Sequence, residues 1–142
     1  MSQRVVIAGA GHAAGQLVAS LRQHKFEGQI VMVGDEPFLP YQRPPLSKKF
    51  LAGDMDAERL YVKPASFYED AGVELHLDSK ITAIDRENQR LQLAGKDDIT
   101  YDKLVLALGS RVRQLAVEGT DLKGVHYLRS IADVEGIRGD ME

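Results

Sequence analysis

The chain has 142 residues, enough for one domain with its own core and hardly for two. Apolar residues make up 44% and charged residues 27%, close to the soluble globular average, and a net charge of −3 gives no ground for nucleic acid or an anionic membrane as partner. Cysteine is absent, which excludes a disulfide framework, a thiolate metal site and a redox-active cysteine pair, and the four histidines show no ligand spacing.

No apolar run approaches the ~20 residues of a membrane span. The N-terminus enters a strand without a signal peptide, so the expected location is the cytoplasm. The first strand is Val5–Ala8, short and apolar throughout, as a parallel strand covered on both faces should be. It feeds Gly9-Ala10-Gly11-His12-Ala13-Ala14-Gly15, and from Ala14 to about His24 the residues Leu17, Val18 and Leu21 recur at helical spacing, with Ala13, Ala14 and Ala19 toward the sheet. Ile30–Val33 is the second strand, parallel to the first by the right-handed crossover rule, and it runs through Gly34 into Asp35.

This is the layout of a dinucleotide-binding βαβ unit. Gly9 permits a tight turn, and Gly11 has no side chain to hold a pyrophosphate away from the backbone. Phosphates can then sit on the helix N-terminus, whose unpaired N–H groups and dipole supply the counter-charge that no Lys or Arg of this turn provides. Ala14 is the third fingerprint position, serving close helix-to-strand packing, and Gly15 shares that contact. Asp35, twenty residues beyond Gly15, is placed to accept hydrogen bonds from both ribose hydroxyls of an adenosine and to repel a 2′-phosphate.

Four of the five prolines fall between positions 37 and 45, which predicts a stiff, extended loop rather than helix or interior strand. Such a loop presents Arg43 and Lys48 as fixed cations; the competing reading is an ordinary proline-rich surface loop. Ser47–Asp54 suits a short helix closed by Gly53, Glu58–Lys63 an extended stretch, and Pro64–Ala71 a helix ended by Gly72. Tyr61, Phe67 and Tyr68 read as packing residues. Val73–Leu77 alternates and predicts a third parallel strand.

Lys80–Asp85, Arg90–Leu93 and Ile99–Tyr101 are short alternating segments separated by Glu87-Asn88-Gln89 and by Gly95-Lys96-Asp97-Asp98, the signals of an antiparallel meander. Tyr101–Ser110 is another buried strand, running into Gly109. His126–Arg129 is a last short strand, and Ser130 caps a helix with Asp133 at the capping-box position.

Tyr41-Gln42-Arg43-Pro44-Pro45-Leu46-Ser47-Lys48, just after a GxGxxA βαβ unit, resembles the flavin-binding signature of the FAD-dependent NAD(P)H:ferredoxin and rubredoxin reductases. These belong to the pyridine nucleotide-disulfide oxidoreductase superfamily and serve dioxygenase and P450 systems. The resemblance implies an α/β fold: a Rossmann-like, FAD-binding parallel sheet with an antiparallel β-meander. It implies FAD on Gly9, Gly11, His12, Ala13 and Ala14, with Asp35 at the adenosine ribose and Arg43 at the AMP portion. It implies Lys48 against the isoalloxazine as the candidate catalytic residue, since a cation there stabilises charge developing on the flavin. It further implies a backbone contact to adenine at Ile81, close approach at Gly109, and a flavin contact from Arg113, a job that Arg111 beside it could also do. One departure is Leu108, where the family's strand ends in Ala-Thr-Gly.

The disulfide reductases of the superfamily carry a cysteine pair after the second strand; this chain does not, so its electrons would leave to an external ferredoxin or rubredoxin, with no role for nucleic acid, membrane or metal. Only one glycine fingerprint is present. The chain therefore reads as an N-terminal fragment of a two-dinucleotide-domain flavoprotein, with residues 1–115 the first segment of the FAD domain and 116–142 a connection toward a NAD(P)H-binding domain. It is expected to hold half an FAD site and not to turn over alone. The alternatives are a non-catalytic adenine-dinucleotide-binding module and a nicotinamide dehydrogenase using the same turn; the lack of a Tyr-x-x-x-Lys pair speaks against the latter.

Overall fold

A computed structural model describes residues 3–141. They form two compact units, the first running up to Tyr41 and continuing over Val62–Gly109, the second made of Gln42–Tyr61 and the segment from Ser110 onward.

The first unit is built on a four-stranded parallel sheet. Strands β1 (Arg4–Ala8), β2 (Gln29–Val33), β3 (Val73–His76) and β7 (Lys103–Leu106) lie in the order β3-β2-β1-β7. A second sheet is an antiparallel meander of β4 (Ile81–Asp85), β5 (Arg90–Leu93) and β6 (Lys96–Thr100). Successive side chains of a strand face opposite ways, and both faces of the parallel sheet are covered. Val5, Ile7, Ile30 and Met32 pack against Ala14 and Val18 of helix α1 (His12–Gln23) and Tyr68 of helix α2 (Ala65–Asp70). Val6, Val31 and Val33 pack against Leu91, Leu93 and Ile99 of the meander. Each such fully buried Val or Ile contributes roughly 1.5–3 kcal/mol of hydrophobic stabilisation.

Arg22, in the last turn of α1, ties the helix end down: Nε donates to the Ala71 carbonyl at 2.8 Å and Nη1 to those of Phe26 and Gly28 at 2.5 and 3.0 Å. Of the small residues expected to face the sheet, Ala14 is fully buried but Ala13 is exposed, because helical periodicity gives the inward positions to Ala14, Gly15 and Val18.

The second unit carries helix α3 (Ile131–Met141), started by the expected capping box. The Ser130 N–H donates to Asp133 Oδ2 at 2.7 Å, and the Asp133 N–H donates back to Ser130 Oγ at 3.2 Å.

Several local expectations are corrected. Pro44–Ser47 is a 3-10 turn and not an extended stretch, since prolines in its first two positions lack only N–H groups that such a turn leaves unpaired. Ser47–Asp54 is not a helix but a run of tight turns, its bonds mixing three- and four-residue spacings (Gly53 N–H to Phe50 C=O, Ala52 N–H to Lys48 C=O). The extended stretch over Glu58–Lys63 starts only at Tyr61, because Ala57–Leu60 winds into a 3-10 turn. The second meander connection is Ala94-Gly95 alone: Leu93 pairs with Lys96, and Gly95 at φ +65° supplies the left-handed residue of a two-residue hairpin, so Lys96–Asp98 belong to β6. His126–Arg129 is irregular; its alternation finds no strand to pair with.

Candidate functional site

At the carboxyl ends of the parallel strands the first unit gathers the glycine turn, Asp35 and the exit toward Gly109. Gly9 takes φ +112°, and a Cβ built on it would lie 2.2 Å from the Ala107 carbonyl oxygen. Its N–H donates to the Val33 carbonyl at 2.7 Å, which draws the turn onto the end of β2. Gly34 completes that approach: a Cβ there would stand 2.5 Å from the Cβ of Ala10. β7 closes from the other side through a 2.8 Å bond from the Ala107 N–H to the Ala8 carbonyl, and Gly109 follows at φ +68°.

Gly11 differs from these. Its φ of −94° is open to any residue, and a Cβ on it would meet no atom within 4 Å. Packing within the chain therefore does not call for glycine here, whereas a ligand lying against the backbone would. Gly11 is also the N-cap of α1, with no side-chain cap bond and no acid in the first turn. The first N–H groups of the helix and the positive end of its dipole are thus left to an anion. His12 and Ala13 are exposed beside them, and Ala14 and Gly15 are buried beneath. Gly15 packs toward Pro40 and the Tyr68 hydroxyl, each 3.0 Å from a Cβ built on it.

Two acids follow β2, and they are treated differently. The Tyr41 hydroxyl donates to Glu36 Oε2 at 2.5 Å, which engages that carboxylate, whereas Asp35 is exposed. Ile81 opens β4 and packs with the Val6, Val31 and Val33 layer. A pyrophosphate with an attached adenosine fits this donor set: bare helix N–H groups, a cradle at Gly11 that a Cβ would fill, and a carboxylate at the neighbouring strand end.

The remaining expected residues belong to the second unit. Arg43 is half-buried and donates through Nη1 to the Arg129 carbonyl at 2.6 Å; its charge also acts on Asp133. Burial works to raise the Asp133 pKa, but bonds from the Ser130 N–H and hydroxyl and the Arg129 N–H outweigh it, so the carboxyl is held below its ordinary value. Lys48 is exposed and ends the Pro44–Ser47 turn, and Arg113 is exposed in an irregular stretch.

Sequence reading missed Gly34 as an approach residue and also the hydrogen bonds that brace the backbone on either side of Asp35. A glycine directly before the strand-end acid was the available signal for the first; no local signal exists for the second.

A family model described as pyridine nucleotide-disulphide oxidoreductase matches residues 3–142. Rhodocoxin reductase of Rhodococcus erythropolis is 45% identical over 137 residues, which are 96% of this chain and 32% of that protein. The crystal structure of a ferredoxin reductase for the CYP199A2 system of Rhodopseudomonas palustris superposes with a TM-score of 0.89 at 44% identity, covering 99% of this chain and 34% of that one. The reductase in a covalent putidaredoxin reductase–putidaredoxin complex superposes with a TM-score of 0.83 at 39% identity, covering 98% and 34%. The chain thus spans about a third of the length of these relatives.

Proposed function

The chain belongs to the pyridine nucleotide-disulphide oxidoreductase family, and on that premise we propose that it is the FAD-holding part of an oxidoreductase that draws electrons from NAD(P)H and passes them to an iron-sulfur ferredoxin or a rubredoxin. The observation that carries this reading is the open, uncapped α1 N-terminus at Gly11, with Asp35 exposed at the end of the next strand. Bound FAD would supply the redox chemistry, taking up a hydride and releasing the electrons singly.

The residues of the chain divide the work of holding it. Backbone N–H groups of Gly11 to Ala14 receive the pyrophosphate, and the Asp35 carboxylate accepts bonds from the ribose hydroxyls. The backbone around Ile81 lies against the adenine, and Gly109 lets the chain pass close to the phosphates. Arg43, Lys48 and Arg113 are assigned to the same cofactor by their place in the family's sequence pattern, with Lys48 as the cation that favours negative charge on the flavin ring. Residues 1–115 form the first segment of the FAD domain, and 116–142 lead onward. No helix among the described residues is long and apolar enough to cross a membrane, and the proposed location is the cytoplasm.

The test is a titration of the purified chain with FAD, followed by quenching of flavin fluorescence and by the visible spectrum. Saturable quenching with a resolved flavin band supports the reading. Binding of ADP with no response to FAD would replace it with a nucleotide module that has no redox role.

A further inference from the structure

Asp35 is held by the backbone on both sides of it. The Gly34 N–H donates to the His76 carbonyl at 2.9 Å, the Ser79 N–H to the Gly34 carbonyl at 2.8 Å, and the Asp78 N–H to the Glu36 carbonyl at 3.1 Å. The backbone that carries the Asp35 side chain is therefore braced by the turn Leu77–Ser79 that follows β3. That turn is not relaxed by itself: Asp78 sits at φ +49°, a left-handed conformation that L-residues adopt only at a cost.

What holds the turn comes from the far end of the meander. Lys96, the first residue of β6, donates through Nζ to the Asp78 carbonyl at 2.8 Å and to Ser79 Oγ at 2.7 Å. Ser79 is buried, 1% exposed, and its hydroxyl donates a hydrogen bond to the Leu77 carbonyl at 2.9 Å, so it both accepts and donates. The hairpin carrying Lys96 is anchored to the same segment by the Ala94 N–H, which donates to the Lys80 carbonyl at 2.9 Å. An ammonium suits this place because it has three donors and can bond two acceptors of different direction at once.

We infer that Lys96, through Ser79, is a positioning residue for Asp35, holding the Leu77–Ser79 turn so that the carboxylate meets the ribose hydroxyls of the adenosine. The inference rests on the reading of Asp35 given above and adds the element that orients it. A role in stability alone would weaken binding of all adenine nucleotides equally. Positioning acts on the part of the affinity that depends on the ribose hydroxyls.

The probes are ADP and 2′-deoxy-ADP, titrated calorimetrically into the 142-residue chain and its variants. The unmodified chain prefers ADP, and Asp35→Asn removes most of that preference. Lys96→Met lowers ADP affinity by about tenfold, the scale of one charge-assisted hydrogen bond, and leaves 2′-deoxy-ADP nearly unchanged. Lys96→Arg restores the preference in part. Amide exchange at Asp78 and Ser79 rises in Lys96→Met without ligand. Should Lys96→Met not fold, Ser79→Ala carries the same comparison. A Lys96→Met chain that keeps the full ADP preference, or loses both nucleotides equally, overturns the inference while leaving the site intact. If the unmodified chain does not distinguish the nucleotides and Asp35→Asn changes nothing, the reading of Asp35 itself falls and takes the inference with it.

Discussion

Gly9 and Gly11 stand two residues apart in one turn, yet alanine should affect them in opposite ways. At Gly9 the backbone φ of +112° is one that L-residues rarely adopt, which costs roughly 1–3 kcal/mol. The new Cβ would also lie 2.2 Å from the oxygen and 2.6 Å from the carbon of the Ala107 carbonyl. Relieving the overlap means moving a main chain whose N–H is bonded to Ala8 at 2.8 Å, for which a core-overpacking cost of about 1–3 kcal/mol is apt. The sum, about 2–6 kcal/mol, is a large share of a typical domain stability of about 5–15 kcal/mol. At about 2–4 °C per kcal/mol, Gly9→Ala should melt at least about 4 °C lower. Gly11→Ala meets no atom within 4 Å at an ordinary φ of −94°, so only the poorer N-cap preference of Ala remains, below about 1 kcal/mol. On the proposed reading its effect falls on FAD, with affinity reduced at least about tenfold, because the methyl group would stand where the pyrophosphate is proposed to approach. Thermal melts by circular dichroism and flavin fluorescence titration, run on both variants, make the comparison. A Gly11→Ala chain that melts as low as Gly9→Ala and binds FAD normally would refute the assignment of Gly11 to the ligand.

Three further outcomes are expected. The Tyr68 hydroxyl is buried and finds no hydrogen-bond partner among the described residues, and burial pushes its pKa up to about 12. Tyr68→Phe should then be neutral or stabilising by about 1 kcal/mol in urea unfolding, and a clear loss would mean the hydroxyl is satisfied. Asp133 has a folded-state pKa below its ordinary value, so its contribution is present above the unfolded pKa of about 3.9 and is lost as pH falls through the folded one. Unfolding midpoints of the wild type should therefore fall more steeply below about pH 4 than those of Asp133→Asn, and parallel profiles would dismiss the link. Ser130→Ala, which removes the other half of the box, should cost about 1 kcal/mol in the same unfolding assay.

Strands β1 and β2 could be read from sequence because both of their faces are apolar: Val5 and Ile7 point to one layer and Val6 to the other. β3 was legible by alternation instead, whereas the buried strand expected over Tyr101–Ser110 is only Lys103–Leu106, an edge strand that leaves Leu106 and then Leu108 exposed. The Ser130–Asp133 box was legible because its partners are three residues apart. Lys96 was misread as turn because Lys-Asp-Asp is polar on every face, and only the pairing of Leu93 with Lys96 puts it in a strand. The Pro44–Ser47 turn was hidden because proline argues against helix interiors but not against their first positions. Asp35 was singled out by spacing; the bracing of the backbone around it was not legible, since Ser79 and Lys96 come from distant segments that only the folded meander brings together.

The place of the site follows from the order of the strands as much as from the glycines. The chain lays β2 and then β3 on one side of β1, crosses the meander, and returns as β7 on the other side of β1. The connection leaving β1 runs through α1 over one face of the sheet, while the one leaving β3 enters the meander over the opposite face. Connections that part to opposite faces open a crevice at the carboxyl ends of the strands, the usual ligand position in open α/β sheets. β1 and β7 border the reversal, and their exits carry Gly9 and Gly109, both at positive φ. Close backbone passage at the crevice is thus secured by residues without side chains, leaving Asp35 at the next strand end as the one carboxylate of the turn-and-acid pair. Sequence change should accordingly be tolerated far less at Gly9 than at Ile81, whose proposed part is a main-chain contact that most apolar residues can make; Ile81→Val should retain FAD binding within about threefold, a difference under about 1 kcal/mol.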